Sequence, residues 1–127
     1  MSFNAGIITS KITETKTFYT ETLGWHVDFE NDFYLLLGNR QGNQISFLLP
    51  NHPSQKPLFQ PEFNGQGVYI TVEVPNVDAI YEQTKAKGIS IVIELRDEPW
   101  GDRHFAIVDP NGIGVDIVTH TPSEANA

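Results

Sequence analysis

Gly67-Val68-Tyr69-Ile70-Thr71-Val72-Glu73-Val74, then Pro75, then Asn76-Val77-Asp78-Ala79-Ile80-Tyr81-Glu82-Gln83-Thr84-Lys85-Ala86-Lys87-Gly88: the apolar period changes in the middle of this stretch. Before Pro75 it is two. Val68, Ile70, Val72 and Val74 share one face and Tyr69, Thr71 and Glu73 the other, the mark of a strand with one buried face. After Pro75 it is helical. Val77, Ile80, Tyr81 and Thr84 form one stripe, Asn76 is placed to cap the start and Gly88 to end the helix.

Working outward, Ile89–Leu95, Arg103–Val108 and Ile113–Val118 read as three further strands. The last two are joined by Asp109-Pro110-Asn111-Gly112, a strong turn signal. The same order stands upstream. Ala5–Thr9 reads as a strand and Thr13 to Leu23 as a helix, with Thr13 as cap, Phe18, Tyr19 and Leu23 as its buried stripe, and Gly24 as its stop. Trp25–Glu30, Phe33–Leu37 and Gln44–Leu49 follow as strands. In Trp25–Glu30 strict alternation puts Trp25, Val27 and Phe29 on one face and His26, Asp28 and Glu30 on the other. The chain therefore reads as a single α+β domain over residues 1–127, made of two βαβββ modules at about 4–50 and 67–119. One helix per module covers one face of a sheet, with Val68, Ile70, Val72, Val115 and Ile117 beneath the helices. The other face is left open, to bind a ligand or pack on another subunit.

Residues 50–66 join the modules and carry Pro53, Pro57 and Pro61 without any period. Leu58, Phe59 and Phe63 are more apolar than a bare linker needs. The segment reads as a loop packed over a pocket or a partner chain, or else as cover for the end of its own sheet. Thr121 to Ala127 reads as a frayed tail.

The 127 residues carry 16 acidic and 8 basic side chains, a formal net charge of -8. Such a chain repels phosphate backbones, which argues against nucleic-acid binding, and attracts cations. It contains no cysteine, which excludes disulfides, thiol nucleophiles and thiolate metal sites. The start, Met1-Ser2-Phe3-Asn4, lacks the basic and apolar regions of a signal peptide, and no apolar run is long enough to cross a bilayer. The expected location is the cytoplasm, away from membranes. There is no Gly-x-Ser-x-Gly elbow and no glycine-rich phosphate loop, so no catalytic nucleophile is nominated.

Glu98-Pro99-Trp100-Gly101-Asp102-Arg103-His104-Phe105 leads into the Asp109–Gly112 turn. Pro99 and Gly101 restrict the backbone on either side of Trp100. The indole is thus either a stacking surface with one hydrogen-bond donor or a structural corner. With Phe18-Tyr19 and Leu23-Gly24, this series resembles the vicinal oxygen chelate superfamily of glyoxalases, bleomycin resistance proteins and dioxygenases. It is most similar to the bleomycin-resistance branch, and the resemblance runs from about Asn4 to Val118. It implies curved mixed sheets around a concave cleft.

In members that bind a metal, four strands each supply one ligand, usually histidine or glutamate. The resemblance carries those positions onto Asn4, Ser46, Tyr69 and Asp116 of this chain. Amide, hydroxyl and phenol oxygens are poor ligands for a first-row divalent metal, and Asp116 alone is a strong one. The expectation is a site without metal or other cofactor. Tyr69 and Asp116 alternate with apolar neighbours and should point away from the helix-covered core. If Arg103–Val108 and Ile113–Val118 pair symmetrically about Pro110-Asn111, Phe105 lies opposite Asp116 and Arg103 shares their face. A one-residue bulge at Asp109–Gly112 would send His104 there instead. His104 then reads as an ordinary half-exposed strand residue or as a general base. His52 and His120 read as solvent-exposed. His26, Asp28 and Glu30 read as a polar strand face too spread to converge on one ion, with same-face neighbours roughly 7 Å apart.

The resemblance implies two functions. One is a metal-free small-molecule-binding protein, sequestering a ligand such as a cationic antibiotic. Trp100, Tyr69, Arg103, Asp116, Phe105, Asn4 and Ser46 would line the site in a homodimer. The alternative is an enzyme: a lyase, isomerase or dioxygenase of this superfamily with a degenerate or unusual metal site.

Overall fold

The computed structural model describes residues 1–120, so the tail expected to fray, Thr121 to Ala127, lies outside the described residues. Two compact units divide the chain, residues 1–65 and residue 66 onward. Each is a mixed four-stranded sheet with one α-helix.

In the first unit β1 (Ala5–Ile8), α1 (Ile12–Leu23), β2 (His26–Glu30), β3 (Tyr34–Gly38) and β4 (Gln44–Leu48) follow in order. The sheet order is β1-β4-β3-β2, with β1 parallel to β4 and the other pairs antiparallel. Ile7, Leu35, Leu37, Ile45 and Phe47 are buried with Tyr19 of α1. The Tyr19 and Phe47 rings lie 5.6 Å apart. The helix starts one residue before the expected Thr13 cap, and Lys11 in the capping position makes no side-chain cap bond. Glu62 holds this entry instead, accepting from the backbone N–H and the hydroxyl of Ser10, both at 2.6 Å. Gly24 ends α1 at φ 70°, a conformation open to glycine at no steric cost. The buried residues are Thr15, Tyr19 and Thr22, with Phe18 and Leu23 only half-buried.

Strict alternation fails in β2. Its register slips by one residue between Val27 and Phe29, a bulge at Asp28. Phe29 crosses to the face of His26. Glu30 turns to the helix side, where Lys16 of α1 pairs with it at 2.8 Å. His26 and Asp28 stay together over Gly38, 2.9 Å apart, and Gln44 donates to Asp28 at 2.9 Å. Any side chain at Gly38 would collide with the Asp28 carboxylate. The joining segment contains a short 3-10 turn, Pro57–Phe59, and is fastened to its own unit: the Phe63 N–H donates to the Ile8 carbonyl at 2.8 Å. Leu58 and Phe59 stay exposed. His52 is not an open surface residue; its ring stacks on Phe33 at 4.0 Å.

The second unit repeats the design with β5 (Tyr69–Glu73), α2 (Val77–Ala86), β6 (Ile93–Asp97), β7 (Asp102–Val108) and β8 (Gly114–His120), in sheet order β5-β8-β7-β6. Asn76 caps α2 as its position implies, accepting from the Ala79 N–H at 3.2 Å. Val77, Tyr81 and Thr84 are its buried residues. Beneath it lie Phe105, Ile107, Val115 and Ile117, all fully buried. Val68, expected there too, precedes β5 and is exposed. The strand expected at Ile89–Leu95 forms later, at Ile93–Asp97, with one extra residue between Ile93 and Arg96.

Candidate functional site

The side chains with most chemistry share the face of the second sheet that α2 does not cover. The β7–β8 turn decides which they are. Asp109 and Ile113 close it, the Asp109 N–H donating to the Ile113 carbonyl at 2.9 Å. The Asp109 carboxylate, almost fully buried, accepts from the N–H groups of Asn111 at 2.8 Å and Ile113 at 3.0 Å. Gly112 takes φ 81°, unfavourable for any side chain with a Cβ. The turn thus holds one residue more than a symmetric one about Pro110-Asn111. Val108 pairs with Gly114, Ala106 with Asp116, His104 with Val118 and Asp102 with His120.

This register corrects the symmetric expectation. Phe105 lies opposite Ile117, not Asp116, and is fully buried with its ring 5.2 Å from Tyr81 of α2. Arg103 is on the same helix-covered side, donating to Asp78 at 2.9 Å and Asp97 at 3.1 Å. The longer turn brings His104 to the face of Asp116, as the bulged alternative requires.

His104 sits between two carboxylates. Its Nδ1 is 2.6 Å from Asp116 Oδ1 and its Nε2 2.8 Å from Glu98 Oε2. Arg96, opposite His104 in register, reaches Glu98 at 3.3 Å. The His104 and Glu98 side chains are only 13% and 12% exposed, against 34% for Asp116, so the Glu98 contact is the drier of the two. Two acceptors on two ring nitrogens call for two N–H donors, hence an imidazolium. Burial opposes that charge, but the hydrogen bonds and charges of Asp116 and Glu98 outweigh it and raise the His104 pKa above the ordinary value.

A second chain of contacts runs beside the first. Glu98-Pro99-Trp100-Gly101 turns the chain from β6 into β7, the Glu98 N–H donating to the Asp102 carbonyl at 2.8 Å. Trp100 is 63% exposed, and its indole N–H donates to Asp102 Oδ2 at 3.0 Å. Asp102 Oδ1 meets His120 Nδ1 at 2.5 Å, and Glu73 lies 3.7 Å from the other nitrogen of that ring. His120, expected to be solvent-exposed, is so, and it is also the last paired residue of β8.

Tyr69, on β5, is 75% exposed and pairs in register with Gly114, while Thr71 is the β5 residue opposite Asp116. Asn4 and Ser46 belong to the first unit. Ser46 donates to the Asn4 side-chain oxygen at 3.2 Å. Gly6 leaves room for that hydroxyl, since a Cβ there would come within 2.9 Å of it. The face also contains Glu98, Asp102, His104 and His120, of which the sequence offered only His104, as the bulged alternative. Their signal was the length of the Asp109–Ile113 turn.

The family model of the glyoxalase/bleomycin resistance protein/dioxygenase superfamily matches residues 4–117. The chain belongs to that superfamily. An uncharacterized protein of Mycobacterium bovis is 31% identical over 64 residues, 50% of this chain and 42% of that protein. The chain thus spans less than half the length of that relative. Solved structures share the fold. A lactoylglutathione lyase from Agrobacterium tumefaciens has a TM-score of 0.76 at 16% identity, over 94% of this chain and 92% of that one. A bleomycin-binding protein complexed with bleomycin has a TM-score of 0.68 at 21% identity, over 95% and 99%. At such identities the likeness concerns the fold.

The superfamily's metal-ligand positions do not suit a metal ion in this chain. Asn4 and Ser46 bond to each other, Tyr69 offers a neutral phenol, and Asp116 is engaged by His104. Among the described residues, no group of three His, Asp or Glu side chains has a geometry that would hold an ion. One carboxylate in four falls short of what a first-row divalent cation requires.

Proposed function

We propose that the chain is a small-molecule-binding protein of the superfamily that works without a metal and takes a cationic ligand on the uncovered face of its second sheet. The observation that carries this reading is the position of His104, with a carboxylate at each ring nitrogen. With both nitrogens held by carboxylates it has no lone pair to offer as a base or a metal ligand. While protonated it is a cation that orients Asp116 and Glu98. Around it Asp102 and Glu73 add negative charge, and Trp100 presents an open indole face. A planar cation would meet both an aromatic surface and carboxylates there. The net charge of -8 favours the same ligand class. The protein would act as a homodimer in the cytoplasm, each copy contributing an open sheet face.

Calorimetric titration with bleomycin tests the proposal, run in chelator and again with added zinc, nickel or manganese. The expected result is binding that is indifferent to metal, with Asp116→Asn weakening bleomycin more than an uncharged planar probe. Binding that depends on one stoichiometric ion per chain, lost in Asp116→Ala, would overturn it. An enzymatic reading, with His104 passing a proton as in a lyase or isomerase, draws on the low exposure of that side chain. It requires His104 to release Glu98 first, and it predicts a substrate whose hydrogen exchanges with solvent in the wild type but not in His104→Gln.

A further inference from the structure

We propose that Asp102 and His120 act together to hold the indole of Trp100 as a stacking platform, with His120 a positioning residue whose grip depends on its proton. The inference rests on the reading of this face as the ligand site and adds to it how the aromatic surface is kept ready.

An indole 63% exposed gains little from the core and has two torsions to turn about. Pro99 restricts its own φ and Gly101 takes φ 102°, open to a residue without Cβ, but neither holds the ring. The ring is fixed by its N–H, which donates to Asp102 Oδ2 at 3.0 Å. Asp102 is in turn fixed through its other oxygen by His120, its direct cross-strand partner. The contacts thus run from the β6–β7 turn to the last described residue of β8.

Two consequences for the ligand follow. The indole donor is already committed to Asp102, so a ligand meets the ring's face and not its N–H. A carboxylate accepting from that N–H also pushes electron density into the ring, which strengthens its attraction for a cation. The matching ligand is flat and positively charged and needs no acceptor for the indole.

The proton enters through His120. Facing this ring are Asp102 from β7 and Glu73 from β5, with Asp116 further along its own strand. The Asp102 hydrogen bond raises the His120 pKa above the ordinary value. Partial burial opposes it, and the charges of Asp102, Glu73 and Asp116 add to it. Asp102 is held low, first by the His120 hydrogen bond and, after the opposing effect of burial, by the Trp100 N–H and the charges of His120 and His104. Below the raised His120 value the pair is ionised and tight. As pH rises through the raised His120 value, Asp102 loses its ionic partner, and Trp100 keeps an acceptor that is itself less firmly held.

The two tryptophans give two indole N–H signals in a nitrogen–proton correlation spectrum, and Trp25→Phe assigns them. The Trp100 signal should move in one step between pH 5.5 and 9.5, with a midpoint above that of an ordinary histidine. His120→Gln should abolish the step. His120→Lys, which keeps a charge at this position, should leave the signal near its low-pH place throughout. Asp102→Asn should shift it at every pH. From pH 6.5 to 9, where His104 titrates in both proteins, binding of N-methylacridinium, a flat cation of fixed charge, should weaken about three- to tenfold more in the wild type than in His120→Lys. A Trp100 signal indifferent to pH and to His120→Gln overturns the proposal, whether or not the acridinium binds. A step that His120→Gln removes supports it. If the acridinium then binds at no pH, the ligand-site reading falls and the positioning of Trp100 stands.

Discussion

Replacing Asp109 by alanine is the sharpest probe of the turn that sets the second sheet. The change removes the acceptor of two backbone N–H groups, those of Asn111 at 2.8 Å and Ile113 at 3.0 Å. Ile113 is 1% exposed, so water cannot replace the carboxylate there. An orphaned buried N–H costs about 1–3 kcal/mol, and a lost hydrogen bond to a charged group about 1.5–3 kcal/mol. Asn111 is only half-buried and regains much of its loss from solvent. The sum is a destabilisation of about 2–4 kcal/mol. Asp109→Asn keeps an acceptor oxygen in place and should cost about 1 kcal/mol. Urea unfolding followed by fluorescence in a Trp25→Phe background, at fixed protein concentration, reads the second unit through Trp100. An Asp109→Ala midpoint equal to that of the parent would refute the claim that this carboxylate holds the turn. Equal losses in the alanine and asparagine variants would show that charge, not acceptor geometry, is what matters.

Other consequences can be measured on the same material. Phe105→Ala should cost about 3–5 kcal/mol of stability, because the ring is fully buried against Tyr81; chemical denaturation checks it, and a near-neutral change would place Phe105 outside the core. Trp100→Ala should leave the unfolding midpoint nearly unchanged and weaken a stacked ligand by about 1–3 kcal/mol in calorimetry. The folded-state pKa of His104 is raised, so its contribution to stability is complete below the unfolded imidazole value of about 6.5 and is lost as pH rises through the folded one. Unfolding midpoints of the wild type should therefore fall relative to those of His104→Gln on the alkaline side; parallel curves from pH 5.5 to 9.5 would contradict the imidazolium.

The fold was legible because two long periodic patterns recur in the same order. Val72 alternating with Glu73 and the stripe from Val77 to Thr84 leave little choice of element. The candidate site was less legible, since it depends on counting residues through irregular backbone. One residue more in the Asp109–Ile113 turn exchanges Phe105 for His104 on the uncovered face. One residue more at Asp28 sends Glu30 to the helix and Phe29 away from it. Neither insertion leaves a composition signal. The placement of Tyr69 and Asp116 opposite the helix side followed from period two, which holds through β5 and β8; Asn4 and Ser46 came from the resemblance alone, and their contact was not read from the sequence. The His104 and His120 pairings did not follow from period two, because the turn length decides whether His104 and Asp102 reach this face, and Glu98 lies in the Trp100 turn, where no period applies.

The bulges in β2 and β6 bear on how the protein behaves in a crowded solution. Each lies in an outermost strand of its sheet, β2 in the first and β6 in the second. An outer strand shows unpaired backbone groups to any passing chain, and a straight one invites another strand to add on. Here one extra residue breaks the ladder near the middle of each, with Asp28 and Glu30 at one break and Glu94, Arg96 and Asp97 at the other. A newcomer would have to bend to the same irregularity and bring charges to match. Val27, Phe29, Val92 and Ile93 can therefore stay exposed along these borders without recruiting further strands into a growing fibre.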